Sequence, residues 1–332
     1  IRDRIIASDV ASILKGNAGN DSLVGGRGND VLSGGPDPDT LDGGGGLNIM
    51  RDRLQDLDGD RILNFGRSTT IDIKDALIGR LHVKVVETPE GDTTLVIGDT
   101  EIDLDGRFGG GAFFAVARDA GAGPHTEITF VPFLPSLSEG VRVDPVSING
   151  VASQLFMTGD GLVSFTATLQ AAISAYANAL GWYKVGSDGT IGAVHLLFAN
   201  TLKPGAVSVD LGTPSSGEKI AFFLVQGGFD RFGTLPDNLS FVQADGTTPA
   251  KATTATTPVL HSATLGNLDV QVFHTIAGLN PGQANQVLSG TTSGGTQLML
   301  GFEDLAVASG DNDFQDVLLA MRASRDDVFY LL

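Results

Sequence analysis

The sequence contains no cysteine, which excludes disulfides, a thiolate nucleophile and zinc–thiolate sites. It is also poor in basic residues, since 21 Lys and Arg stand against 39 Asp and Glu and leave a net charge of -18. Binding to nucleic acid or to an anionic membrane needs clustered positive charge, so neither partner is predicted. No apolar run approaches the roughly 18 residues of a membrane-spanning helix.

Catalytic motifs are missing as well. The five histidines are scattered and never form His-Glu-x-x-His, which argues against a zinc protease. Neither a Gly-x-Ser-x-Gly nucleophile elbow nor a Gly-x-x-x-x-Gly-Lys phosphate loop is present. We therefore expect that the chain is not an enzyme.

Aspartate is what the chain has in excess. Of the 39 acidic residues, 32 are Asp and 7 are Glu. Short Asp carboxylates on tight loops are well suited to gather oxygen ligands around a hard cation such as calcium. The chain has 332 residues, 42% of them apolar, which is enough for two packed domains. Prolines and a polar run at residues 131–140 predict a boundary between domains 1–135 and 141–332.

A nine-residue repeat begins at Gly16, Gly25 and Gly34 without a gap. Its sixth position is always Asp and its eighth is always Leu. A fourth frame from Gly43 keeps the glycines but has Asn48 at the sixth position, and we interpret it as a decaying end. The predicted calcium ligands in the first three frames are Gly16, Asn17, Gly19, Asp21, Gly25, Gly26, Gly28, Asp30, Gly34, Gly35, Asp37 and Asp39.

Each part of this repeat has a physical task. Paired glycines permit a tight turn whose carbonyl oxygens face a cation, and the Asp side chain adds negative charge. The tripeptide around each Leu forms a short strand, and leucines of successive turns stack into a narrow core. Without a cation the carboxylates would repel one another, so calcium binding and folding are expected to be one event. A flexible Gly/Asp linker is the alternative, and the constant register argues against it.

The repeat resembles the RTX family of type I-secreted calcium-binding proteins, which implies a parallel β-roll. Residues 58–75 resemble the segment that follows RTX repeats and caps the roll, and residues 92–116 are typical of a flanking β-hairpin. The resemblance further implies that the chain leaves the cell unfolded and folds in extracellular calcium. Residues 326–332, acidic and then hydrophobic, resemble the end of many type I substrates, with an ordinary last strand as the alternative.

The second domain is expected to be a β-sandwich with one helix. Residues 167–180 are predicted as that helix, ending at Gly181. Alternating apolar residues between polar turns predict strands at 141–149, 162–168, 191–199, 205–211, 219–226, 269–275 and 296–302. The whole chain is thus predicted to be mainly β: a short parallel β-roll with capping hairpins, followed by a β-sandwich-like domain.

A second acidic motif starts at Gly301 and packs oxygen-bearing side chains into a short loop before an apolar segment. Its spacing differs from that of an EF-hand, yet its density predicts another calcium site. The alternative is a helix N-cap at residues 311–313. The predicted ligands are Glu303, Asp304, Asp311, Asn312, Asp313 and Asp316. With residues 181–192 and 219–228, this motif resembles the DUF4114 family of bacterial extracellular β-domains over about residues 145–325.

These features predict a secreted calcium-binding structural or interaction protein of the bacterial cell surface, such as a surface-layer, matrix-fibre or adhesin component. A calcium-dependent carbohydrate-binding module is the first alternative, with Trp182 and Tyr183 as a stacking face. A non-catalytic part of a larger secreted RTX enzyme is the second. Besides calcium, the candidate partners are further copies of the chain, another surface protein or a surface polysaccharide.

Overall fold

The computed structural model describes residues 2–66, 68–76, 83–118, 125–143, 159, 161, 163–205, 207–215, 217–253, 256–291, 297–306, 309–324 and 329–331. The contacts divide the chain into two units. The first contains the described residues up to Phe133 together with the last strand, and the second contains those from Leu134 to Ser324. No helix among the described residues is long and apolar enough to cross a membrane.

The first unit starts as a parallel β-roll, as the repeat predicts. Its strands are β1 (Arg4–Ile6), β2 (Ile13–Lys15), β3 (Ser22–Val24), β4 (Val31–Ser33), β5 (Thr40–Asp42), β6 (Asn48–Asp52), β7 (Arg61–Leu63) and β8 (Thr69–Ile73). Odd-numbered strands form one parallel sheet and even-numbered strands form the other. Leu23 pairs with Leu41, and Leu14 pairs with Leu32. One turn of the roll therefore consists of two nonapeptides, which alternate between the sheets.

The core of the roll is the expected column of apolar side chains. Leu23, Leu32 and Leu41 are completely buried, one per repeat frame. Met50 of the fourth frame is also completely buried, and its strand β6 pairs with both β4 and β8. The interpretation of that frame as a decaying end is therefore wrong, because methionine fills the leucine position without interrupting the stack.

A set of longer antiparallel strands closes the roll: β9 (Val83–Glu87), β10 (Thr93–Ile97), β11 (Thr100–Leu104), β12 (Gly111–Arg118) and β13 (His125–Pro132). β10 and β11 form the predicted hairpin, and β11 continues the odd-numbered sheet by pairing in parallel with β7. β13 continues the even-numbered sheet by pairing with β8. A cluster of four phenylalanine rings packs beneath these strands, namely Phe65, Phe108, Phe113 and Phe130.

The second unit is built from three antiparallel sheets. Its elements are β14 (Phe165–Ala172), β15 (Ala179–Val185), β16 (Ile191–Phe198), β17 (Ser208–Asp210), β18 (Lys219–Val225), the short helix α1 (Gly228–Phe232), β19 (Leu239–Val242), β20 (Val259–Ser262), β21 (Gly266–Asn267), β22 (Val272–His274), β23 (Val287–Gly290), β24 (Leu298–Phe302) and β25 (Val317–Ala323). The sheet orders are β17-β14-β25-β24-β23, β16-β15-β18-β22 and β19-β20-β21. The protein is therefore mainly β, with one short α-helix among its described residues.

The predicted helix at residues 167–180 is wrong. Most of that segment forms strand β14 and the turn after it, and Gly181 lies inside β15 rather than at a helix end. A Cβ at Gly181 would come within 2.3 Å of the Phe223 ring, so this glycine allows close packing between neighbouring strands. Alanine favours a helix locally, but strand pairing with β25 overrides that preference here.

The remaining strand predictions from 162–168 onward each overlap an observed strand. The predicted strand at 141–149 lies outside the described residues from position 144 on. The last strand, β26 (Phe329–Leu331), was expected in the second domain but pairs with β12 of the first unit. Residues 325–328 of the C-terminal segment also lie outside the described residues.

Candidate metal centres

The aspartates of alternate repeats form a ladder along one edge of the roll, which we call the acidic edge and define by Asp21, Asp39 and Asp60. Each uses Oδ1 to accept the backbone N–H of the corresponding residue one turn earlier. Asp21 accepts from Asp3 at 2.6 Å, Asp39 from Asp21 at 2.6 Å, and Asp60 from Asp39 at 2.8 Å. These bonds hold all three carboxylates in one orientation.

The second carboxylate oxygen of each aspartate accepts no hydrogen bond. Oδ2 of Asp21, Asp39 and Asp60 is buried and has no hydrogen-bond partner. A Cβ placed at Gly16 would lie 2.6 Å from Oδ2 of Asp21 and 2.6 Å from the carbonyl oxygen of Gly34. Glycine thus leaves open a space that faces a carboxylate oxygen and a carbonyl oxygen of the next turn. That donor set is the one calcium prefers, so the residues fit the predicted cation.

The opposite edge, defined by Ser12, Asp30 and Asn48, has the same geometry but less charge. Asp30 accepts the N–H of Ser12 at 2.8 Å, and Asn48 accepts the N–H of Asp30 at 2.9 Å. Oδ2 of Asp30 is again buried without a partner. This edge has one carboxylate, whereas the acidic edge has three. We therefore expect the acidic edge to have the higher affinity for a cation.

Burial and mutual repulsion disfavour ionised carboxylates on the acidic edge. Burial, reinforced by the charges of Asp21 and Asp52, raises the pKa of Asp39 from 3.8 to about 6. Burial and the charge of Asp39 raise the pKa of Asp60 from 3.8 to about 8. A divalent cation between the turns would remove both penalties, because it attracts the ionised form.

Other residues predicted as ligands have visible structural tasks. Asp37, at φ 79°, accepts the N–H of Gly19 through Oδ2 at 3.1 Å. A Cβ at Gly35 would lie 2.0 Å from the carbonyl oxygen of Asn17. At Gly26 it would lie 2.6 Å from a backbone oxygen of the previous turn, and at Gly28 2.4 Å from a backbone carbon. These glycines allow successive turns to stack closely, whether or not their carbonyls bind metal.

The repeat pattern did not predict that Asp60 belongs to the acidic edge. It continues the ladder 21 residues after Asp39, whereas the regular step is 18 residues. The longer step takes it out of the nonapeptide frame. The acidic turn at 58–60 was a signal, but spacing alone could not align it with the ladder.

In the second unit, the predicted acidic motif separates into two groups. Oxygens of Glu303, Asp304 and Asp316 lie within 4.8 Å of one another, and so do those of Asp311, Asp313 and Glu139. Glu139 was not predicted, because 172 residues separate it from Asp311 and no local pattern connects them. Asn312, at φ 58°, lies in the loop between Asp311 and Asp313 of the second group. The helix-capping alternative is wrong, since the segment that follows is strand β25.

The group of Glu303, Asp304 and Asp316 is largely closed off from solvent. Glu303 is completely buried, and Asp304 and Asp316 are 2% and 9% exposed. Burial and the charge of Asp311 raise the pKa of Glu303 from 4.5 to about 7. Burial and the charges of Asp304 and Glu303 raise the pKa of Asp316 from 3.8 to about 8. This combination is unfavourable for the ionised side chains unless a cation joins them.

The second group lies beside the segment that begins the second unit. Glu139 and Asp311 are exposed, whereas Asp313 is buried. Asp313 accepts the N–H of Gly140 at 2.8 Å, and Glu139 accepts from Nε2 of Gln315 at 2.5 Å. These bonds already satisfy part of the group, and calcium binding by Asp311 and Asp313 stays a prediction.

The aromatic pair considered for sugar binding is not an open platform. Trp182 is only 9% exposed and stacks on His195 with 4.8 Å between the ring centroids. Tyr183 is completely buried, and its hydroxyl lies 3.0 Å from Nδ1 of His274. Stacking on a sugar needs an accessible ring face. These two residues therefore belong to the packing of the second unit.

Two family profiles match the chain, one within the roll and one within the second unit. A family profile for the RTX calcium-binding nonapeptide repeat (4 copies) matches residues 13–50, and one for a domain of unknown function, DUF4114, matches residues 215–324. None of the curated proteins compared matches the chain. Among solved structures, the AlgE6R3 subunit from the Azotobacter vinelandii mannuronan C5-epimerase is 27% identical. The match covers 31% of this chain and 71% of that one, with a TM-score of 0.27.

Proposed function

Because this chain contains RTX calcium-binding nonapeptide repeats and a DUF4114 domain, we propose that it is a secreted structural or interaction protein of the bacterial cell surface, folded and stabilised by calcium. The observation that carries the proposal is the row of buried, unpartnered Oδ2 atoms on Asp21, Asp39 and Asp60. Buried carboxylates persist in a folded protein only when something compensates their charge. Calcium at this edge supplies that compensation.

The same arrangement makes folding depend on the calcium concentration. Each short strand contributes only one buried apolar side chain to the core of the roll. Where calcium is scarce, repulsion along the acidic edge therefore outweighs the stabilisation that this small core provides. Where calcium is abundant, binding energy becomes folding energy. RTX repeats are typical of secreted proteins, so we infer that the chain folds outside the cell.

A non-catalytic role at the surface fits the remaining features. The sequence carries no recognisable catalytic motif, and its two β-rich units suit a rigid component of a surface layer, a matrix fibre or an adhesin. Its partners in that role would be further copies of the chain, another surface protein or a surface polysaccharide. The buried position of Trp182 is unfavourable for the alternative of a carbohydrate-binding module.

Calcium titration of the full chain tests the proposal. Circular dichroism and calorimetry should show that calcium raises the melting temperature of the first unit and that a chelator reverses the rise, while magnesium should have a much smaller effect. Asp39→Asn should weaken the response, and the exposed Asp58→Asn should not. Absence of any calcium response would contradict the calcium-dependent fold.

Sedimentation and electron microscopy in calcium address the surface role. Ordered assembly of the calcium-loaded chain, or its calcium-dependent attachment to cells, would support a structural or adhesive component. A strictly monomeric protein that binds one defined sugar only in calcium would favour the carbohydrate-binding alternative instead.

A further inference from the structure

We propose that the second unit binds its own calcium ion between Glu303, Asp304 and Asp316, independently of the RTX repeats. The three residues come from two segments that flank neighbouring strands of the five-stranded sheet. Glu303 and Asp304 directly follow β24, and Asp316 directly precedes β25. Antiparallel pairing of β24 with β25 brings these strand ends together.

Glu303 is the residue that points to a ligand. Its side chain is completely buried, and Oε2 has no hydrogen-bond partner. Oε1 accepts a long bond from the N–H of Leu305, at 3.3 Å. A buried carboxylate oxygen without a donor is costly, whereas the same oxygen beside two further carboxylates is a natural metal ligand.

The chemistry of the donors favours calcium over magnesium. One oxygen from each of the three residues lies within 4.8 Å of the others, which is close enough for all three to bind one ion. Magnesium gives up its water reluctantly and usually binds only one or two carboxylates, whereas calcium accepts a shell built largely from protein oxygens. A buried group of three carboxylates therefore suits calcium better.

No positive side chain competes for this position. Within the part of the chain that the structure describes, the ion pairs of Lys and Arg involve other acidic residues, and none reaches Glu303, Asp304 or Asp316. The exposed Asp311 adds negative potential, since its charge acts on Glu303. A cation from solution is therefore the group that can balance these charges.

The ligands are also held in place before any ion binds. Oδ2 of Asp316 accepts the N–H of Asp304 at 2.8 Å. Oδ2 of Asp304 accepts from Nδ2 of Asn178 at 2.6 Å and from the hydroxyl of Ser174. The carbonyl of Asp304 accepts from Nε2 of Gln226 at 2.8 Å. Such a network reduces the rearrangement needed for binding.

This network gives the ion a structural consequence. Ser174 and Asn178 lie between β14 of the five-stranded sheet and β15 of the four-stranded sheet. Gln226 directly follows β18 of the four-stranded sheet. A calcium ion that fixes Asp304 would therefore tie together the ends of two sheets within the second unit.

The test compares Glu303→Gln with the exposed Asp237→Asn in the full chain. Calorimetric titration with calcium chloride should show one ion fewer per chain for Glu303→Gln than for the wild type, and an unchanged number for Asp237→Asn. Glu303→Gln should also lose the calcium-dependent rise in the melting temperature of the second unit. An unchanged ion count and an unchanged calcium response in Glu303→Gln would overturn the proposal.

Hydrogen exchange of the wild type tests the same site without a mutation, should the variant fail to fold. Calcium should slow exchange of the amides of Asp304 and Leu305, which donate to Asp316 and Glu303, at least tenfold, and magnesium should have a much smaller effect. No calcium effect on these amides would also overturn the proposal. Asp39→Asn separates this site from the RTX repeats, because it should weaken calcium binding in the first unit and leave the protection of Asp304 intact.

Discussion

Replacement of Asp60 by Asn should change stability in opposite directions with and without calcium. Asparagine retains an oxygen that can accept the N–H of Asp39, but it carries no charge. The carboxylate of Asp60 is buried, and Oδ2 has no hydrogen-bond partner. The substitution therefore removes an ionisable group whose charged form is unfavourable in the calcium-free fold and useful in the calcium-loaded fold.

The size of the calcium-free effect follows from the pKa of Asp60, which rises from 3.8 to about 8 in the folded chain. An acid whose pKa is raised by folding contributes no penalty below its unfolded pKa, and stability falls as the pH rises toward the folded value. At pH 7 the folded state must keep a proton that the unfolded chain has lost, at a cost of about 4 kcal/mol. Asp60→Asn should raise the free energy of unfolding without calcium by up to about this amount.

When calcium is present, the same substitution should lower the free energy of unfolding. Loss of one charged partner from a buried, paired site costs on the order of 3–5 kcal/mol. Asp60→Asn should therefore bind calcium more weakly and unfold more easily than the wild type when calcium is present.

Urea unfolding followed by circular dichroism, in chelator and in millimolar calcium, measures both effects. Asp58→Asn is the matched control, because Asp58 is exposed in the same turn and accepts the N–H of Glu101 at 2.9 Å. The control should change little in either condition. Equal destabilisation of Asp60→Asn in both conditions would refute the reasoning and leave Asp60 with a purely structural task.

Two further predictions follow from single positions. Gly34→Ala places a Cβ 2.2 Å from Oδ2 of Asp39 and should lower the free energy of unfolding in calcium by roughly 1–3 kcal/mol, whereas Gly66→Ala, with nothing within 4 Å, should be neutral in the same urea assay. His274 is completely buried, and burial lowers its pKa from 6.5 to about 3, so its contribution to stability is present above pH 6.5 and lost as the pH falls toward 3. His274→Gln, which can still accept from Tyr183, should remove a slope of about 1.4 kcal/mol per pH unit between those values, and unchanged acid sensitivity in calorimetry would contradict this.

The roll could be predicted from the sequence because its determinants are local and repeated. A leucine every nine residues specifies a strand, and an aspartate two positions earlier specifies its turn. The prediction for the fourth frame was wrong because Met50 and Asn48 depart from the repeat in sequence but occupy the same positions in the roll. Asp60 was not predicted because three extra residues precede it in the last turn.

The second unit was harder to predict because its determinants are not local. Alanines at 167–180 favour a helix in isolation, but pairing with β25, more than 100 residues away, makes the first part of that segment a strand. The acidic motif at 301–316 was visible, yet its division into two groups depends on β24 and β25 lying side by side. Glu139, Ser174 and Asn178 join these groups only through the fold.

The unequal edges of the roll make its two sides differ in their dependence on calcium. The acidic edge carries three buried carboxylates whose Oδ2 atoms have no hydrogen-bond partner, whereas Ser12 and Asn48 of the opposite edge carry no charge. We therefore expect the loss of calcium to destabilise the acidic edge more than the opposite edge. A partner bound along the acidic edge would then be sensitive to the calcium concentration.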